Sequence, residues 1–161
     1  MPAYHQRRPV QNLEDAGDQL AIIRRNTHLT LAMSRADEPY LCTVNYAYDE
    51  AARAFFFHCA PKGKKVAIMR SNPVVWGQIL EDLGYRDGHC LHGYRTVQFR
   101  GRVTFVDDLE ERRRALHLMI DQLESRPEAS KARFVTRRSV RSVAIGRVYV
   151  ERFSAKVGKE P

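Results

Sequence analysis

Between Thr96 and Val106 the sequence alternates. Val97, Phe99, Val103 and Phe105 fall on one side, and Thr96, Gln98, Arg100, Arg102 and Thr104 on the other, with Gly101 in phase with the apolar set. A period of two sustained over this length describes a strand with one face in a core and the other face polar. Such a strand belongs in an antiparallel sheet covered on one side. Gly101 inside it marks a bulge or a close approach by another group.

The rest of the chain supplies partners for that strand. Asn12, with Asp15 three residues on, caps a helix carrying Leu13, Ala16, Leu20 and Ile23 at helical spacing. His28 to Ser34 reads as a strand, Arg35 to Pro39 as a turn, and Leu41 to Tyr48 as a second strand. On that second strand Tyr40, Cys42, Val44, Tyr46 and Tyr48 share one face, and Leu41, Thr43, Asn45 and Ala47 the other. Asp49 to Arg53 turns the chain back into Phe55 to Cys59, a hairpin return that brings Thr43 and Asn45 toward His58. Val74 to Leu80 is a further strand, and Asp82 to His92 a loop. Asp108, with Glu111 three residues later, caps an amphipathic helix through Leu123. Residues 125–138 read as a basic loop with one helical turn, and Val140 to Phe153 as the closing strand. The expected class is mainly β with helices (α+β), a six-stranded antiparallel barrel. A chain of 161 residues suits one such domain, over residues 12–157, with an arm at 1–11 and a tail at 158–161.

The stretch from Phe55 to Pro73 joins an aromatic strand to a short helix with Lys62, Lys64 and Lys65 crowded at its start. Pro61 suits the first helical position, and Asn72-Pro73 a stop. A helix N-terminus already carries about half a positive charge, so lysines sit at its unfavourable end unless an anion joins them. Backbone N–H groups, a glycine and ammonium groups together form a phosphate cradle.

Composition narrows the function classes. No stretch approaches the roughly 18 apolar residues of a membrane span, and Met1 to Val10 lacks the apolar core of a signal peptide. A cytoplasmic location is expected. Cys42, Cys59 and Cys90 are an odd count without a CxxC pair, which argues against a disulfide framework or zinc ribbon. They are expected to be reduced and half-buried. His58-Cys59 and His89-Cys90-Leu91-His92 match no standard metal-site spacing, and no metal site is expected. The net charge of +8 resides largely in residues 126–161, which hold 10 Lys+Arg against 3 Asp+Glu. Lys131, Arg133, Arg137, Arg138 and Arg141 are not interleaved with stacking aromatics beyond Phe134, a weak pattern for a nucleic-acid-binding module.

Three segments carry a resemblance. They are Thr43-Val44-Asn45-Tyr46-Ala47-Tyr48; Phe57-His58-Cys59-Ala60-Pro61-Lys62-Gly63-Lys64-Lys65 with Asn72-Pro73 behind it; and Tyr94-Arg95-Thr96-Val97 followed by Gly101-Arg102. With the capped helix from Asp108 and the closing strand ending near Lys156, this order resembles the pyridoxamine 5′-phosphate oxidase-like superfamily of FMN-binding split β-barrels. Within it, the chain is most similar to the nitroimidazole-resistance (Nim) reductase-related branch. The resemblance implies a homodimer that holds FMN in clefts at the subunit interface and transfers electrons from a reduced nicotinamide or similar donor to a small-molecule acceptor. By position, Lys64 and Lys65 would grip the FMN phosphate. Val44, Asn45 and Tyr46 would lie along the isoalloxazine edge, and His58 would face the ring or ribityl chain as the candidate proton donor. Thr96 and Gln98 would approach the flavin, from the other subunit. Cys59 stands where glycine is common in the family, and Thr96 where serine is usual. The architecture also admits a deazaflavin, a haem, or a flavin-binding protein without catalytic activity.

Overall fold

The computed structural model describes residues 11–158. The expected arm at 1–11, save Gln11, and the tail at 158–161, save Gly158, lie outside the described residues. β1 (His28–Arg35) and β2 (Glu38–Asn45) form a hairpin whose two turn residues, Ala36 and Asp37, take φ of 50° and 63°. That handedness lets a two-residue turn match the twist of its strands. β3 (Ala47–Asp49) pairs with β4 (Ala54–Cys59), β5 (Val74–Arg86) with β6 (Leu91–Phe105), and β7 (Ala144–Val157) lies between β6 and β4. The strand order is β2-β1-β5-β6-β7-β4-β3, and every pairing is antiparallel.

β2 and β3 stand at opposite ends of that order yet are joined through Tyr46 alone. They are the two halves of one bent strand, so the seven-stranded sheet closes on itself as the six-stranded antiparallel barrel that the sequence predicts. Its interior is aromatic. Tyr46, Phe55, Phe57 and Phe99 are at most 1% exposed, and the rings of Phe55 and Phe99 stack at 4.4 Å. Each ring withdrawn from water contributes roughly 1.5–3 kcal/mol. Gly77 lies opposite Phe99, and Gly146 opposite Phe57, in neighbouring strands. A Cβ at either glycine would stand 2.0 or 2.2 Å from the facing ring, so these rings lie flat across bare backbone.

Outside the barrel, α3 (Leu109–Leu123) covers β4 and β7 through Ala115, Phe56 and Ile145. Over Ala54–Phe57 both faces of β4 are therefore covered, which is why this part reads as an unbroken apolar run. Asp108 caps α3 as expected, its side chain accepting from the Glu111 amide at 2.7 Å. At Gly101 both sequence expectations hold. The β6–β7 register shifts between Arg100 and Gly101, and a Cβ at Gly101 would approach the Tyr149 carbonyl oxygen at 2.5 Å.

Several boundaries differ from the sequence reading. α1 (Ala16–Arg25) is capped by Asp15, not Asn12, because Asn12 bridges to Lys156 and Leu13 donates to the Ala155 carbonyl, holding residues 12–13 extended against β7. α2 (Lys64–Ser71) starts three residues after Pro61, with Gly63 at its N-cap. The expected loop from Asp82 to His92 is mostly strand, bent at Gly84 (φ 90°), where the Asp82 carboxylate accepts from the Gly84 amide at 2.8 Å. The expected loop at 125–138 holds two helices, α4 (Pro127–Phe134) and α5 (Arg137–Ser142). Pro127 opens the first, and a Thr136–Ser139 capping box opens the second. The three cysteines are free, and Cys42 is half-buried as expected; Cys59 and Cys90 depart from that expectation in opposite directions, the first buried on β4 and the second exposed at the β5–β6 turn.

Candidate functional site

The bent strand and β4 stay paired only as far as Ala47 and Phe56. Past that point β2 remains on β1, where Asn45 faces His28, while β4 remains on β7. The two strands part, and a cleft of about 260 Å³ opens between them, lined by His28, Thr43, Val44, Asn45, His58 and Lys65. The expected convergence of Thr43 and Asn45 on His58 is thus produced by the split in the barrel. The rim is tied back to β1. Asn45 donates its side-chain amide to the Thr27 carbonyl at 2.9 Å, and the hydroxyls of Thr30 and Thr43 share a 3.0 Å hydrogen bond.

α2 brings its N-terminus to this cleft. Gly63 has φ 142°, a conformation side chains rarely adopt, although a Cβ there would meet nothing within 4 Å. Among the described residues no side chain caps the helix, and no acidic residue lies in its first turn. Its leading N–H groups are therefore open to an outside acceptor. The two lysines diverge. Lys64 donates to the Glu38 carboxylate at 3.1 Å and lies 4.9 Å from the centre of the Tyr40 ring. Lys65 lines the cleft and has no carboxylate partner among the described residues.

The field of Lys65 reaches its neighbours. Burial, and then the Lys65 ammonium, hold the His58 imidazole below the usual histidine range. The residue as a whole is exposed, so water at its outer edge limits that shift. Burial pushes the Cys42 and Cys59 thiols up while Lys65 pulls against it. At neutral pH the cleft therefore presents a neutral His58 imidazole and, beside it, the Lys65 ammonium, which has no carboxylate partner among the described residues.

The remaining predicted site residues sit elsewhere. Val44 reaches the cleft from the inner face of β2 and is 8% exposed. The Tyr46 side chain is fully in the core, its hydroxyl donating to the Ile23 carbonyl at 2.6 Å, and burial raises its pKa. It does not line the cleft. Thr96 is 7% exposed and donates to the Ile79 carbonyl at 2.9 Å, and half-buried Gln98 lies in register with Gln78 and Ser154. Both belong to β6, and neither lines the cleft within this chain. His92 pairs with Asp82 at 2.7 Å, and among the described residues no three His, Cys, Asp or Glu side chains gather as a metal site.

Sequence reasoning missed His28, which reads only as the start of a strand. Its signal was the β1–β2 register that sets it against Asn45. It also missed a second cavity, of about 280 Å³, under α3, α4 and α5, whose wall includes His58. That cavity was hidden because residues 125–138 do not read as helices.

An antiparallel barrel split beside a lysine-bearing helix start is a split-barrel architecture. The chain belongs to the pyridoxamine 5′-phosphate oxidase family, whose sequence pattern it matches over residues 15–157. Among solved structures it is similar to a candidate 5-nitroimidazole antibiotic resistance protein from Bacteroides thetaiotaomicron, with 23% identity, 91% of this chain and 86% of that one covered, and a TM-score of 0.72. An FAD-binding protein from Mesorhizobium loti shares 21% identity over 92% of this chain and 98% of that one, at a TM-score of 0.66. A flavocytochrome from Azotobacter vinelandii shares 14% identity over 100% of this chain and 73% of that one, at a TM-score of 0.78. At such identities the likeness concerns the fold alone. No curated protein matches the chain. No helix among the described residues is long and apolar enough to cross a membrane.

Proposed function

We propose that the protein is a homodimeric FMN-dependent oxidoreductase of the nitroimidazole-reductase-related branch, taking electrons from a reduced nicotinamide and passing them to a small nitroaromatic acceptor. The observation that carries this reading is Lys65, which among the described residues has no carboxylate partner and stands beside a helix N-terminus that no side chain caps. A phosphate ester there would accept from backbone N–H groups and from Lys65, satisfying donors that the fold leaves open. FMN, when bound, supplies the two-electron transfer. Thr43 and Asn45 position the ligand at the cleft rim, and the neutral His58 holds a proton at its ring nitrogen beside the acceptor.

The cleft is smaller than a whole flavin nucleotide, so the ring system would extend over the sheet. The outer faces of β2, β1, β5 and β6 leave Leu41 65% and Leu80 48% exposed. Apolar side chains on an uncovered sheet suit a second copy of the chain. In that arrangement Thr96 and Gln98, on the same sheet, approach the cofactor held by the partner. The Bacteroides neighbour's description supports a nitroaromatic acceptor.

The visible absorption spectrum of the purified protein, before and after FMN is added and the excess removed, tests the cofactor. A retained two-banded flavin spectrum is expected. A sharp Soret band would replace FMN by haem, and retention of a deazaflavin in preference to FMN would replace it by that cofactor. Sedimentation of the loaded protein tests the dimer, and a flavin-bound monomer would remove Thr96 and Gln98 from the site.

A further inference from the structure

His58 borders two cavities of opposite character. On one side lies the polar cleft with Lys65; on the other lies the cavity of about 280 Å³ beneath the helices. The second is floored by Leu116, Met119, Ile120 and Leu123 from α3, with Val135 and Val143 closing it. Phe134 stands at its mouth, 55% exposed, with the Arg133 guanidinium 5.0 Å from the ring centre. Exposed Glu124 also lines the cavity, as the one carboxylate among its lining residues. Few polar groups face inward. The Ser139 hydroxyl is already engaged, donating to the Phe134 carbonyl at 2.6 Å. His58 and Ser130 have no side-chain hydrogen-bond partner among the described residues.

We propose that this helix-covered cavity binds a neutral, planar aromatic or heteroaromatic molecule of one or two rings, oriented by a hydrogen bond to His58. An apolar enclosure with a few convergent polar groups is the usual form of a small-molecule site. Its volume lies just under the usual lower bound of about 300 Å³ for small-molecule pockets, which suits a ligand of one or two rings. The Glu124 carboxylate in the lining disfavours an anion, and entry of any ion into the apolar interior would cost desolvation. The two sides of His58 thereby sort ligands by charge: a phosphate-bearing molecule to the cleft, a neutral ring to the cavity. As the acceptor site of the proposed oxidoreductase this rests on that reading, but binding to the cavity does not require a flavin.

Calorimetric titration of the full chain with 4-nitrobenzamide and with 4-nitrobenzoate tests it, alongside a separate FMN titration. The amide is expected to bind at one site per chain, and the acid about tenfold or more weaker, the cost of burying its charge. Leu123→Trp, which fills the cavity, should weaken amide binding about tenfold or more. Phe134→Ala, at an exposed position that leaves the fold intact, should weaken it about threefold to tenfold. Neither should alter FMN affinity. Lys65→Gln should weaken FMN and leave the amide unchanged. The proposal is overturned if the amide does not bind the folded protein, if the acid binds as well, if Phe134→Ala leaves the amide affinity intact, or if Lys65→Gln abolishes it. Amide binding without FMN uptake would instead sink the flavin reading and leave this one standing.

Discussion

β4 meets the bent strand on two terms within a few residues. At Ala47 and Phe56 the two are hydrogen-bonded and buried, with Phe55 stacked on Phe99 behind them. At Asn45 and His58 they have separated, and polar side chains line the gap. The closed part is held by rings lying over glycines, where a change of volume is felt at once. The open part is lined by polar groups, and among the described residues the leading N–H groups of α2 and the Lys65 ammonium have no side-chain partner. The contrast separates what holds the barrel from what the barrel presents.

Breaking the closed part should have the largest effect. Phe99→Ala removes a ring that is 0% exposed and stacked at 4.4 Å, and should cost about 3–5 kcal/mol in urea denaturation. Lys65→Gln, in the open part, should stay within about 0.5 kcal/mol of the parent. Equal losses for the two would erase the distinction, since Lys65 would then be a structural residue.

The sequence exposes this division unevenly. The alternation around Phe99 and the apolar run at Phe55 predict the barrel, because a period of two and a two-sided burial leave direct marks on residue choice. The lysines before Val66 predict an anion-seeking helix start for the same reason. What stays hidden depends on pairing between distant residues. Nothing local in Lys64-Lys65 says that Glu38, 26 residues earlier, would take the first and leave the second. Nor does Tyr46 announce that its phenol reaches back to Ile23 instead of the cleft. The helices at 127–134 and 137–142 have little amphipathic pattern. They rest on a proline start and a capping box, so the second cavity could not be read from periodicity.

That pairing yields the next prediction. Lys65→Gln should weaken FMN binding about 10-fold to 100-fold, the loss of a charge-assisted contact worth about 1.5–3 kcal/mol. Lys64→Gln should weaken it less, because the Lys64 charge is already partnered by Glu38 and an exposed pair of this kind is worth about 0–1 kcal/mol. Fluorescence titration of FMN against both variants measures the difference. A larger loss at Lys64 would reverse the assignment of the phosphate ligand, and equal losses would mean that the Glu38 pair opens when the ligand arrives.

The smallest effect concerns protons at the edge of the split. His58 titrates below the ordinary histidine value, chiefly from burial and secondarily from Lys65. Between its folded value and the unfolded value near 6.5, the unfolded chain binds more protons than the folded one. The stability that comes from keeping His58 neutral is therefore complete above about pH 6.5 and is lost as pH falls through the folded value. Lys65→Gln should move the His58 titration part of the way back upward and no further, since burial remains. Imidazole proton shifts followed against pH by NMR read both values. A His58 that titrates at or above the ordinary value in the parent, or that is unmoved by Lys65→Gln, would show that the ammonium does not face the imidazole, and the open side of the barrel would lose the electrostatic link between its two principal groups.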